Sequence, residues 1–114
     1  MNQITRDAIR AFTNGNDFKR GNTQVKTYAH SNYRELLLHG NVIADMNEGG
    51  LYISNGGYVP QRTYWHTTSH SVDNATGSVT TKERLNGLPN VSIYQRNFQW
   101  FLNGKEWDGS RIKV

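Results

Sequence analysis

From Thr23 onward, glycine and asparagine recur at intervals that leave room only for short strands. His39-Gly40-Asn41, Asn47-Glu48-Gly49-Gly50, Asn55-Gly56-Gly57, Asn103-Gly104 and Asp108-Gly109 all interrupt a chain of 114 residues. Glycine and asparagine accept the positive φ that tight hairpin turns require, and Asn-Gly is the strongest short hairpin signal. The stretches between these turns favour extended structure: Thr23 to Ala29, Tyr33 to Leu38, Val42 to Met46, Leu51 to Ser54, Val91 to Gln95, Phe98 to Leu102, Lys105 to Trp107 and Arg111 to Val114. Short strands joined by tight turns predict an antiparallel meander.

Two segments follow a helical period instead. Thr5 to Thr13 carries Ile4, Ala8, Ile9, Ala11 and Phe12 at roughly helical spacing. Thr5 is the expected cap and Asn14-Gly15 the stop. Lys82 to Leu88 is the second expected helix, with Thr80 or Thr81 as its cap and Glu83 at capping-box distance from Thr80. The expected fold is α+β: one domain over residues 1–114, an antiparallel meander with two short helices packed on it. Its expected core is Ile9, Phe12, Leu36, Leu38, Val42, Ile43, Leu51, Ile53, Leu85, Leu88, Ile93, Phe98, Trp100 and Leu102.

The chemistry such a chain can carry is narrowed by what it lacks. There is no cysteine, which excludes disulfides, thiolate nucleophiles and Cys-ligated zinc and fits a reducing compartment. No window approaches the roughly 20 apolar residues of a membrane span, and the first twelve residues do not read as an export signal. His66 and His70 stand four apart, but Thr67, Thr68 and Ser69 disfavour a helix there. On a strand the two rings lie about 13 Å apart, too far for one ion. Ser69, His70 and Asp73 have no nucleophile-elbow pattern around them. Glu35, Asp45 and the other carboxylates are scattered singly. No cofactor, metal site or catalytic residue is expected, and the chain reads as non-enzymatic.

Three phrases carry a family resemblance: Leu37-Leu38-His39-Gly40-Asn41-Val42-Ile43-Ala44, Thr80-Thr81-Lys82-Glu83-Arg84-Leu85-Asn86-Gly87-Leu88 and Trp100-Phe101-Leu102-Asn103-Gly104-Lys105-Glu106-Trp107-Asp108-Gly109. In this order they resemble a family of small, uncharacterised bacteriophage-encoded proteins, over most of the chain. The stretch Pro60 to Gly77 is longer than that pattern. The resemblance implies a viral protein made in the host bacterial cytoplasm and supplies no catalytic residues.

Two binding readings follow. The leading one is a host-takeover or anti-defence effector that binds a host protein through a neutral surface rich in Tyr, Asn and Ser. The other is a nucleic-acid binder, suggested by the net charge of +4 and by Arg62-Thr63-Tyr64-Trp65 and Tyr94-Gln95-Arg96, where arginines adjoin aromatics able to stack on bases. The candidate contacts are Arg62, Tyr64, Trp65, His66 and His70, within the segment Tyr58 to Gly77, because Tyr, Trp and Arg dominate binding hot spots. No membrane partner is expected, and the oligomeric state is left open.

Overall fold

The computed structural model describes residues 2–56, 77–97 and 99–114. Its first helix, α1, spans Gln3–Asn14. Asn2 caps it, its side-chain oxygen accepting from the Thr5 N–H at 2.9 Å. The expected cap, Thr5, instead lies inside the first turn and is buried, because the Asn2 carboxamide takes the free N–H one turn earlier. Gly15, at φ 73°, closes the helix in the left-handed conformation. Thr5, Ala8, Ala11 and Phe12 form its buried side. Arg34, reaching up from the sheet, donates to the carbonyls of Phe12 and Thr13 in the last turn of the helix.

Among the described residues nine strands follow: β1 (Phe18–Arg20), β2 (Thr23–Thr27), β3 (Arg34–Leu38), β4 (Asn41–Asn47), β5 (Gly50–Ile53), β6 (Ile93–Arg96), β7 (Gln99–Leu102), β8 (Lys105–Glu106) and β9 (Ile112–Lys113). The first five run as an antiparallel meander, and β9 returns beside β5 to complete a six-stranded sheet. The strands β6, β7 and β8 make a sheet of their own. The β3–β4 and β7–β8 turns use the residues that sequence picks out. His39 and Gly40, and Asn103 and Gly104, all have positive φ, as a type I′ hairpin requires. β1 is the strand that patterning misses, being three residues long between Asp17 and Gly21.

The register of β3 against β4 shifts between Leu36 and Leu37. Leu37 faces Val42, while Leu36 faces Ala44 and Glu35 faces Asp45. This bulge leaves Ile43 and Ala44 both buried in the core. Val25, Leu36, Ala44 and Ile53 are successive register partners across the inner face. Phe12 from α1 and Leu85 from the second helix, α2 (Gly77–Leu85), pack against that face, with Leu88, Val91, Ile93, Leu102 and Trp107 completing the core.

The helix α2 begins before the expected Lys82, so Thr80 and Thr81 lie within it. Thr81 is fully buried, and its hydroxyl has no partner among the described residues. Of the expected core, Ile9, Val42 and Trp100 are only half-buried. Ile9 and Trp100 pack against the buried cluster, and Val42 pairs with Leu37 on the face of the sheet opposite Leu36. Phe98 lies outside the described residues.

Polar contacts join the elements. Arg84, 4% exposed, donates to Thr5 Oγ1 at 2.7 Å, to Thr23 Oγ1 at 3.0 Å and to the neighbouring Glu83 carboxylate at 2.6 Å. Glu83 in turn accepts from the Thr5 hydroxyl and the Asn2 N–H, so α1, α2 and β2 share one network. Just past α2, the Asn86 carboxamide pairs with Ile93 as a peptide unit would. Its nitrogen donates to the Ile93 carbonyl at 3.0 Å, and its oxygen accepts from the Ile93 N–H at 2.6 Å.

Candidate binding face

Side chains alternate across a pleated strand, so the residues between the core positions share the opposite face. Lys26, Glu35, Asp45, Tyr52 and Lys113 are successive register partners on β2, β3, β4, β5 and β9. They form one polar row across that outer face. The bulge in β4 sets two carboxylates, Glu35 and Asp45, directly opposite each other. Like charges so placed repel. Each is therefore found with its own donors.

Glu35 is held between two tyrosines. The Tyr28 hydroxyl donates to one carboxylate oxygen at 2.7 Å and the Tyr33 hydroxyl to the other at 2.8 Å. The two rings lie 5.3 Å apart, tilted by 46°. Asp45 is bound by Arg111, which donates from Nη2 at 2.7 Å and from Nε at 3.3 Å. The Arg111 guanidinium also lies 4.0 Å from the centre of the Tyr52 ring, a cation–π contact. Asp45 is only 6% exposed, although it stands on a face whose rim is open. Arg111 is itself half-exposed, so this pair closes the charge from water while presenting the arginine outward.

These partners shift the titrations. Burial, then the hydrogen bond and charge of Glu35, push the Tyr33 phenol up to about 12. The bond to Glu35, burial and its charge also raise Tyr28. Both phenols are neutral donors throughout the physiological range. Beyond Tyr33, an open hollow of about 490 Å³ lies between the loop His30 to Tyr33 and the turn Asn47 to Gly49. Tyr28 itself is 43% exposed. Three tyrosines and an arginine are thus held in fixed orientations around two carboxylates. Among the described residues no group of three His, Asp or Glu could hold a metal ion.

A family model matches residues 1–112. The chain belongs to the Kyanoviridae Gp96 protein family. It is a phage family, as the three sequence phrases imply. Comparison with curated proteins and with solved structures finds no match. No described helix of this Gp96-family chain is long and apolar enough to cross a membrane.

The five contacts expected from sequence, Arg62, Tyr64, Trp65, His66 and His70, lie outside the described residues. The second Arg-aromatic stretch, around Tyr94 and Arg96, is on the small sheet. There Tyr94 stacks on Phe101, its cross-strand partner, with centroids 5.1 Å apart and planes within 6°. Trp107 is buried and donates its indole N–H to the Ser110 carbonyl at 2.9 Å. Trp100 packs beside it at 5.8 Å. These two tryptophans belong to packing. Sequence patterning does not mark the Tyr28, Tyr33, Glu35, Asp45, Tyr52 and Arg111 arrangement as a site. The available signal is the polar phase of two otherwise apolar strands, Tyr33 and Glu35 against Leu36 and Leu38, and Asp45 beside Ile43 and Ala44.

Proposed function

We propose that this Gp96-family protein is a non-enzymatic accessory protein that acts in the host bacterial cytoplasm by binding a host protein, as a host-takeover or anti-defence effector. The observation that carries the reading is the tyrosine face. Tyrosine supplies large contact area with few rotatable bonds, and side chains already fixed before binding, a tethered arginine included, lose little further freedom. Here Glu35 fixes Tyr28 and Tyr33, and Asp45 with Tyr52 fixes Arg111. The segment Tyr58 to Gly77, with Arg62, Tyr64, Trp65, His66 and His70, is proposed to add contacts on the strength of its composition.

The test is capture of a host protein by the immobilised protein, with Tyr28→Ala/Tyr52→Ala and Tyr64→Ala/Trp65→Ala as separate variants of unchanged Tm. The expected result is one dominant host protein, retained at high salt and lost with the first variant. Equal capture by the first variant and wild type removes the tyrosine face from the proposal, and equal capture by the second removes the 58–77 segment.

A further inference from the structure

The formal charge of this protein is confined to one end of its sequence. The first 34 residues hold six Lys and Arg against two Asp, a net charge of +4. The remaining residues hold seven of each sign, and their charges cancel. A charge asymmetry of this kind points to an anionic partner for one surface and not to a general basicity.

The fold decides which of the six cations are available. Arg34 is used at the end of α1. Lys26 stands opposite Glu35 on the tyrosine face, and Lys19 alternates to the outer side of β1. Arg6, Arg10 and Arg20 remain, with Arg20 bonded to Asp7 and Arg10 close enough for its charge to act on it. Arg6 and Arg10 are exposed on α1 and lie four residues apart, which puts them on one helix face with Cβ atoms about 6 Å apart. Arg20 comes from β1, against which α1 packs, and donates to Asp7 Oδ2 at 2.8 Å. Asp7 Oδ1 accepts from Gln3 at 2.7 Å, so both oxygens of the one acidic group in the cluster are occupied.

Arg20 is also held from below, with its guanidinium 5.2 Å from the centre of the Phe18 ring. Its side chain is nevertheless 50% exposed. Among the described residues its Nε and Nη2 make no hydrogen bond, and Arg6 and Arg10 form no ion pair. One guanidinium is therefore oriented by an aromatic ring and a carboxylate, with donors left facing outward. Two more lie along the adjoining helix. A planar fork of this kind matches the oxygens of a phosphodiester. The other described faces mix both signs: Arg96 and Glu106 both stand on the small sheet, and Glu35 and Asp45 lie among the cations of the tyrosine face.

We infer that the arginine surface formed by α1 and β1, with Arg6, Arg10 and Arg20, binds the phosphodiester backbone of nucleic acid without reading its sequence. This goes beyond the protein-binding role proposed above and uses a different face. The probe is fluorescent oligo(dT), with binding followed by anisotropy between about 50 and 200 mM NaCl. Three phosphate contacts on a single strand give a log–log salt slope of about −2, or roughly a 10–20-fold loss over that range. The Arg6→Gln/Arg10→Gln/Arg20→Gln variant should bind at least about tenfold more weakly at the low-salt end. Arg6→Gln/Arg10→Gln, which leaves the Arg20 to Asp7 contact intact, should show a partial loss and a shallower slope. Lys105→Gln/Lys113→Gln and Tyr28→Ala/Tyr52→Ala should bind as wild type. The inference is overturned by undetectable or salt-independent binding, by arginine variants that bind as wild type, or by displacement with poly-glutamate as effective as with unlabelled oligo(dT), which would make the partner an acidic protein.

Discussion

Replacing Arg84 by methionine keeps the aliphatic stem but removes three donors from the seam between α1, α2 and β2. A hydrogen bond to a charged group contributes about 1.5–3 kcal/mol net. The three losses do not add in full. Thr23 still donates to Asn22 at 2.8 Å, Thr5 still donates to Glu83, and the Glu83 side chain, 31% exposed, can turn to water. Breaking a buried charged network by removing one partner costs about 3–5 kcal/mol, and the packed methionine recovers part of that. We expect Arg84→Met to lose about 2–4 kcal/mol, with a Tm roughly 8–16 °C lower. Urea unfolding followed by tryptophan fluorescence measures it, and Glu83→Gln with the double variant isolates the coupling between the two residues. Acid gives a second readout. Burial raises the Glu83 carboxyl, but the Thr5 hydroxyl, the Asn2 N–H and Arg84 together hold it below its ordinary value of 4.5. Because the folded value is the depressed one, this contribution is present above pH 4.5 and is lost as the pH falls through the folded value. Glu83→Gln should lack that part of the acid destabilisation. An Arg84→Met protein within about 1 kcal/mol of wild type, with an unchanged acid limb in Glu83→Gln, would refute the reasoning.

Leu85 is fully buried at the meeting of α2 and the sheet, so Leu85→Ala should cost about 2–5 kcal/mol in the same unfolding assay. Thr81→Val removes a buried hydroxyl that has no described partner and should raise stability by about 1 kcal/mol, seen as a higher Tm. In an alkaline titration followed by tyrosinate absorbance, Tyr33 should ionise near 12 instead of 10. Its raised folded value means a stability contribution present below pH 10 and lost as the pH rises towards 12. Glu35→Gln should bring this step down only in part, since burial is the larger cause, and a step that does not move would exclude Glu35 as a cause.

The turns were legible because their chemistry is local. His39-Gly40 and Asn103-Gly104 adopt left-handed backbones for reasons contained in the two residues themselves. The helices were legible in kind and less so at their starts, where a residue just upstream of the pattern, Asn2, takes the capping role from Thr5. The tyrosine face was not legible. A hairpin centred on His39-Gly40 with regular pairing sets Arg34 opposite Asp45, an ordinary cross-strand ion pair. The bulge moves Glu35 there instead, releases Arg34 to the end of α1 and leaves Asp45 to Arg111, which is 66 residues away. Neither the bulge nor that distant partner has a signature in the order of residues. The charge asymmetry, by contrast, is present in the sequence as a count. It acquires meaning only once the fold separates the occupied cations from the available ones.

Asn86 has a further consequence for a protein that must coexist with many copies of itself. A sheet edge with open N–H and C=O groups is a template on which another chain can add a strand, and repetition of that step makes a fibre. β6 is an outer strand of its sheet, and Asn86 occupies its Ile93 peptide groups with a side chain that carries no next residue to extend. The other outer strands, β1, β8 and β9, are two or three residues long, and each carries lysine. A single carboxamide thus acts as a chain terminator for assembly. It closes the Ile93 position of that edge to strand addition.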